Sequence, residues 1–83
     1  MAKFIDIHTG MKGVTKQQLA QAHQKDMDHE DAEGVQFLHA WADPQSGKVF
    51  CLSEAPNKEA VLRVHRKAGN AADEIYEVPI EIE

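Results

Sequence analysis

Cysteine is nearly absent from this chain. Cys51 stands alone, which excludes an internal disulfide framework and any multi-thiolate zinc cluster within one chain. A cytoplasmic protein is the expectation. Long hydrophobic runs are also missing: nowhere do eighteen apolar residues follow one another, and the first twenty hold no apolar stretch. Neither a membrane span nor a targeting segment is therefore expected. Basic residues are in the minority, nine Lys and Arg against fourteen Asp and Glu, and they are scattered along the chain. Nucleic acid and anionic membrane are accordingly poor partners. The familiar catalytic signatures are missing too: there is no P-loop, G-x-G-x-x-G, G-x-S-x-G, H-E-x-x-H or CxxC. Cys51 lies between Phe50 and Leu52 and reads as a buried thiol with a raised pKa, hence a poor nucleophile. The chain is not expected to be an enzyme.

What is present is a complete pattern of short elements. Lys3 to His8 alternates as a strand, with Ile5 and Ile7 opposite Phe4, Asp6 and His8. Thr15 followed by Gln18 is a capping box, with Val14 and Leu19 as its hydrophobic staple, and Gly34 supplies the left-handed stop. A first helix thus runs to about Glu33, with Leu19, Ala22, His23 and Met27 on one face. Val35–Ala42 and Lys48–Glu54 flank the turn-rich run Asp43-Pro44-Gln45-Ser46-Gly47 and read as a hairpin. Pro56 and Asn57 open a second helix, closed by Gly69, with Val61, Val64, His65 and Ala68 along one side. Glu74 to Glu83 alternates again, although Pro79 suits an edge.

With 83 residues and no linker or repeat, one domain spanning residues 1–83 is expected. Its order, β-α-β-β-α-β, is the ferredoxin-like plan, an α+β fold with an antiparallel sheet and two helices on one face. Ile5, Ile7, Leu38, Phe50 and Leu52 are assigned to the helix side, and Phe4, Phe37, Trp41, Val49, Tyr76, Val78 and Ile80 to the other. So large an apolar patch is rarely left to water. A homodimer packed through the open sheet face is expected.

Simple pairing about Gln45 puts His39 opposite Cys51, and strand three beside strand one brings Asp6 and His8 near that thiol. Two imidazoles, a thiol and a carboxylate on neighbouring strands form a candidate metal site, with ordinary buried polar groups as the plainer reading. A one-residue shift of the hairpin would carry His39 to the other face. His23 and Asp26 share a face of helix one at i, i+3, and His65 on helix two is placed to approach His23. The acidic run Asp28, His29, Glu30, Asp31 and Glu33 reads as a solvated helix end.

Ala22-His23 with Asp26, Trp41-Ala42-Asp43, Phe50-Cys51-Leu52, Glu54-Ala55-Pro56, His65 followed by Ala68-Gly69, and Ala72-Asp73-Glu74-Ile75 form a set. Together they resemble the small bacterial nickel-binding proteins once classed as a domain of unknown function, over the span His8 to Val78. The resemblance implies a ferredoxin-like homodimer that binds nickel, for sequestration or detoxification, with ions held at the dimer surface. Asn70 departs from the pattern, which leads one to expect histidine after Ala68-Gly69. Imidazole and carboxylate suit Ni(II), but the same donors take copper or zinc. The candidate metal ligands are His8, His23, Asp26, His65, Asp6 and His39, with affinity expected to fall below about pH 6.5 as imidazole protonates. The alternatives are a small-molecule enzyme of the dimeric α/β-barrel type, using His65, His23 or Tyr76 in a pocket, and a non-catalytic effector-binding dimer.

Overall fold

The computed structural model describes all residues 1–83. Strand β1 spans Ala2–His8, helix α1 Lys16–Glu30 with a short 3-10 turn Asp31–Glu33, and strands β2 and β3 span Gln36–Asp43 and Lys48–Ala55. Helix α2, Lys58–Lys67, leads to strand β4, Glu74–Glu77. The antiparallel sheet has the order β2-β3-β1-β4, which is the ferredoxin-like arrangement expected. No helix is long and apolar enough to cross a membrane.

The helix boundaries follow the local chemistry. Thr15 Oγ1 accepts from the Gln18 amide while Gln18 Oε1 accepts from the Thr15 amide, closing the capping box. Gly34, at φ +69°, ends the 3-10 turn, and Asn57 Oδ1 caps α2 by accepting from Ala60 N. The acidic end of α1 does more than face water. Glu30 Oε2 accepts from the Phe37 amide, and Glu33 receives Arg63 and Lys67 from α2.

The two faces of the sheet are the reverse of the sequence assignment. Phe4, Asp6 and His8 of β1 and Val49, Cys51, Ser53 and Ala55 of β3 are buried, whereas Ile5, Ile7, Phe50 and Leu52 are only partly covered. The core joins Phe4, Val35, Phe37 and Ala55 to Ala60, Val61 and Val64 of α2. Apolarity alone chose Ile5 and Ile7 for the interior. What prevails is that α1 and α2 carry Asp26 and His65 into the seam, and these buried polar groups require polar partners from the sheet.

The hairpin register differs by one residue from simple pairing about Gln45. Trp41 pairs with Phe50, Ala40 with Cys51 and His39 with Leu52, with an irregularity between Phe37 and His39. Trp41 and Tyr76 therefore do lie on the open face, beside Ile5, Ile7, Phe50 and Leu52, while Phe4, Phe37 and Val49 belong beneath the helices. Strand β4 stops at Glu77, short of the expected Glu83. Val78 N still donates to Lys3 O, but β1 begins at Ala2, so the residues beyond have no strand left to pair with.

Candidate metal centre

The centre forms where β1, β3 and both helices converge. Register places Asp6 directly opposite Cys51, and His8, two residues on, shares their face. From above, α2 presents His65 and α1 presents Asp26, both buried. Asp6, His8, Cys51 and His65 each offer a donor atom, and these atoms all lie within 4.8 Å of one another.

The orientation of the two histidines follows from their outer nitrogens. His65 Nδ1 donates to Asp26 Oδ1 at 3.0 Å, and His8 Nδ1 donates to the carbonyl oxygen of Ala71 at 3.1 Å. Both Nε2 atoms then point at the same carboxylate. His65 Nε2 lies 2.8 Å from Asp6 Oδ2, and His8 Nε2 lies 2.7 Å from Asp6 Oδ1. The second contact is close but poorly directed, and it leaves Oδ1 without a hydrogen bond. Cys51 Sγ sits 3.8 Å from His8 Nε2, and the His8 and His65 rings meet edge to face at 4.6 Å.

Electrostatics tie the group together. Burial works to lower the His65 pKa, but hydrogen bonds to Asp26 and Asp6 and the charges of both carboxylates outweigh it and raise the value to about 9. Without metal, His65 is thus an imidazolium held between two carboxylates at neutral pH. For Asp6, burial favours the neutral acid, yet the contacts with His65 and His8 hold its carboxyl below the ordinary range. Burial, with help from the Asp6 and Asp26 charges, pushes the Cys51 thiol far up. The thiol is the poor nucleophile that its neighbours in sequence suggested.

Asp6, His8, Asp26 and His65 are thus brought together. His23 lies close by: it lines the cleft beside the centre, with its Nδ1 buried and unpartnered. On α1, however, the partner of His65 is Asp26, one turn beyond His23. His39 lies apart, on the exposed face, where its ring is 5.7 Å from that of Trp41. The register shift explains this, because Cys51 turned under the helices while His39 stayed outside. Asn70, in place of the expected histidine, donates through Nδ2 to Ala22 O and Asp26 Oδ1 and so ties the end of α2 to α1. Cys51 belongs to the centre although it stood outside the candidate ligand list; its pairing with Asp6 was the signal.

Comparison with known proteins agrees with the resemblance seen in sequence. The family model described as "Nickel responsive protein SCO4226-like" matches residues 4–78. No curated protein matches the chain. Among solved structures, the crystal structure of SCO4226 from Streptomyces coelicolor A3(2) is similar to it with a TM-score of 0.96 and 57% identity, covering 98% of this chain and 100% of that one. The chain belongs to the family of nickel responsive proteins like SCO4226.

Proposed function

We propose that this protein binds a divalent transition metal, nickel foremost, through Asp6, His8, Cys51 and His65, and sequesters or detoxifies it without catalysing a reaction. One observation carries the reading: both histidines have Nδ1 tied to an outer acceptor and Nε2 turned toward one carboxylate. Metal-bound imidazoles are oriented in this way by a carboxylate or carbonyl behind them. Asp26 and Ala71 would be those outer partners. Asp6 Oδ1, 2.7 Å from His8 Nε2 but without a well-directed hydrogen bond, is a buried oxygen that a bound cation would engage.

The donors fit a metal in kind and nearly in spacing. Bonds of about 2.0 to 2.3 Å allow two donors on one ion to lie at most ~4.6 Å apart. The outermost pair here, at up to 4.8 Å, needs to close by a few tenths of an ångström. A mixed nitrogen, oxygen and sulfur set suits Ni(II), Cu(II) or Zn(II) and discourages magnesium. His65 and Cys51 would each give up a proton on binding.

Titration of chelator-stripped protein with nickel, copper, zinc, cobalt and magnesium in a calorimeter tests the reading. Nickel is expected to bind and magnesium not to, with nickel at 100 times its dissociation constant adding about 2.7 kcal/mol of stability. His8→Gln and Cys51→Ser, each checked for folding, are expected to bind at least tenfold more weakly. If both bind as the parent does, the ligand assignment is wrong.

The same reading includes a cytoplasmic homodimer that packs through the open sheet face. Ile5, Ile7, Phe50 and Leu52 lie there partly exposed, with Trp41 at 50% and Tyr76 at 54% exposure. A second copy presents the same surface and would cover it symmetrically. Sedimentation is expected to show a dimer that Trp41→Glu dissociates. A parent that is monomeric at tens of micromolar would rule this out.

A further inference from the structure

We propose that the cleft between α1 and the sheet binds a small primary amine as its ammonium, with the cation on Asp26 and an apolar body along the walls. The inference goes beyond the metal reading and needs no metal ion. Asp26 lines the cleft although it is only 2% exposed. Its Oδ1 accepts from both His65 Nδ1 and Asn70 Nδ2, and its Oδ2 accepts from no group of the protein. A carboxylate so nearly withdrawn from water has lost much of its hydration, so a charge-assisted hydrogen bond to the free oxygen is stronger than one at the surface. The one imidazolium of His65 is shared between Asp26 and Asp6. It balances only one of these two buried negative charges.

Two more acceptors on residues of the same cleft stand free. Asn70 uses Nδ2 to hold α1 and leaves its Oδ1 without a donor. His23 Nδ1, an acceptor when the ring proton is on Nε2, is buried without a partner. A primary ammonium brings three N–H donors, as many as there are free acceptors. No lysine or arginine lines the cleft, so the protein itself supplies no cation for them, and a carboxylate or phosphate would meet Asp26 with nothing to offset the repulsion. Leu19 and Ala22 of α1 and Val49 of β3 supply apolar wall, and exposed Thr9 and Gly69 mark the mouth. The volume is about 280 Å³, below the ~300 to 1,000 Å³ of drug-sized sites but many times the ~30 Å³ of one water. An unbranched amine of butylamine size, charged head inward, matches these features. A nucleotide or other large anion does not, in size or in charge.

Three probes with the same apolar body separate the contributions: n-butylamine, n-butanol and butyrate. Each is titrated into chelator-stripped, nitrogen-15-labelled protein at pH 7 and matched ionic strength, and backbone amide shifts are followed by NMR. The amine is protonated there, since its pKa is close to the ~10.4 of lysine. The expected result is a saturable response to butylamine at the amides of Leu19, Ala22, Val49 and Asn70, at least tenfold weaker binding of butanol, and none of butyrate. Leu19→Trp fills the cleft and is expected to weaken butylamine binding at least tenfold; Ala22→Phe serves in its place if that variant does not fold. Absence of a saturable response overturns the proposal. Butanol binding as well as butylamine also overturns it, because the carboxylate then recognises nothing. So do shifts confined to the acidic stretch Asp28–Glu33, or equal binding by parent and filled variant, because the amine then sits elsewhere. No nickel enters the experiment, so every outcome leaves the metal reading as it stands.

Discussion

Raising the pH from 7 to 9 is expected to tighten nickel binding by roughly four orders of magnitude, and the reason lies in the two protons the centre must release. A histidine ligand has to be neutral, yet His65 is held protonated up to about pH 9 by Asp26 and Asp6, against the burial that works to lower it. At pH 7, about two pH units below, only about one molecule in a hundred has His65 neutral, a handicap of about 3 kcal/mol. The Cys51 thiol, raised still further by burial, must also ionise and adds about another tenfold per pH unit. Asp6, held below the ordinary carboxylate range, contributes no proton. The logarithm of the affinity should thus climb by about two per pH unit between 7 and 9, then by about one once His65 has titrated. A site of exposed imidazoles would instead level off above its ordinary pKa of about 6.5, as the sequence alone suggested. The assay is competition against a chelator of known pH dependence, which also keeps nickel soluble, with calorimetry in buffers of different ionisation heat to count released protons. Affinity that is flat from pH 7.5 to 9, or binding without proton release, would refute the reasoning.

Without metal the same histidine predicts the opposite trend in stability. Its folded pKa is raised from 6.5 to about 9, so the stabilisation is fully present below about pH 6.5 and is lost as pH rises through about 9. The loss is about 3 kcal/mol, and denaturant titration of chelator-stripped protein at pH 6, 7.5 and 9 measures it. Asp26→Asn leaves His65 with one carboxylate and is expected to cost about 3 to 5 kcal/mol, a large share of the ~4 to 12 kcal/mol typical at this length. It should also flatten the pH trend; an unchanged melting curve would mean that the Asp26–His65 bond does not stabilise the fold. Gly47→Ala is expected to destabilise, because Gly47 has φ +78° and an added Cβ would sit 2.7 Å from Lys12 N. The left-handed conformation alone costs about 1 to 2 kcal/mol, so the thermal midpoint should fall by at least ~4 °C.

Much of this protein was legible residue by residue. Thr15 with Gln18, Gly34, Asn57 and the turn Asp43–Gly47 marked where elements begin and end, because caps and turns depend on a few adjacent residues. The order of those elements sufficed for the ferredoxin-like topology. Asp6, His8, Asp26 and His65 could be named as candidates, together with His23 and His39, from strand pairing, helical spacing and the family resemblance. The family was legible as well, through a combination of short segments, none of them specific alone.

Tertiary structure decided which way the sheet faces. Alternation in β1 separates Ile5 and Ile7 from Phe4, Asp6 and His8 but does not say which set goes inside. That depends on what the helices carry, and Asp26 and His65 in the seam draw the polar set inward. The hairpin register was likewise beyond local reasoning. A shift of one residue set His39 and Cys51 on opposite faces, because side chains alternate with a period of two and any odd shift exchanges the faces, whereas the β1–β3 pairing holds the thiol beside Asp6 and His8. The charge on His65 is wholly a product of folding. An isolated imidazole titrates near 6.5, and only the convergence of two carboxylates from β1 and α1, twenty residues apart in sequence, keeps it protonated to about pH 9.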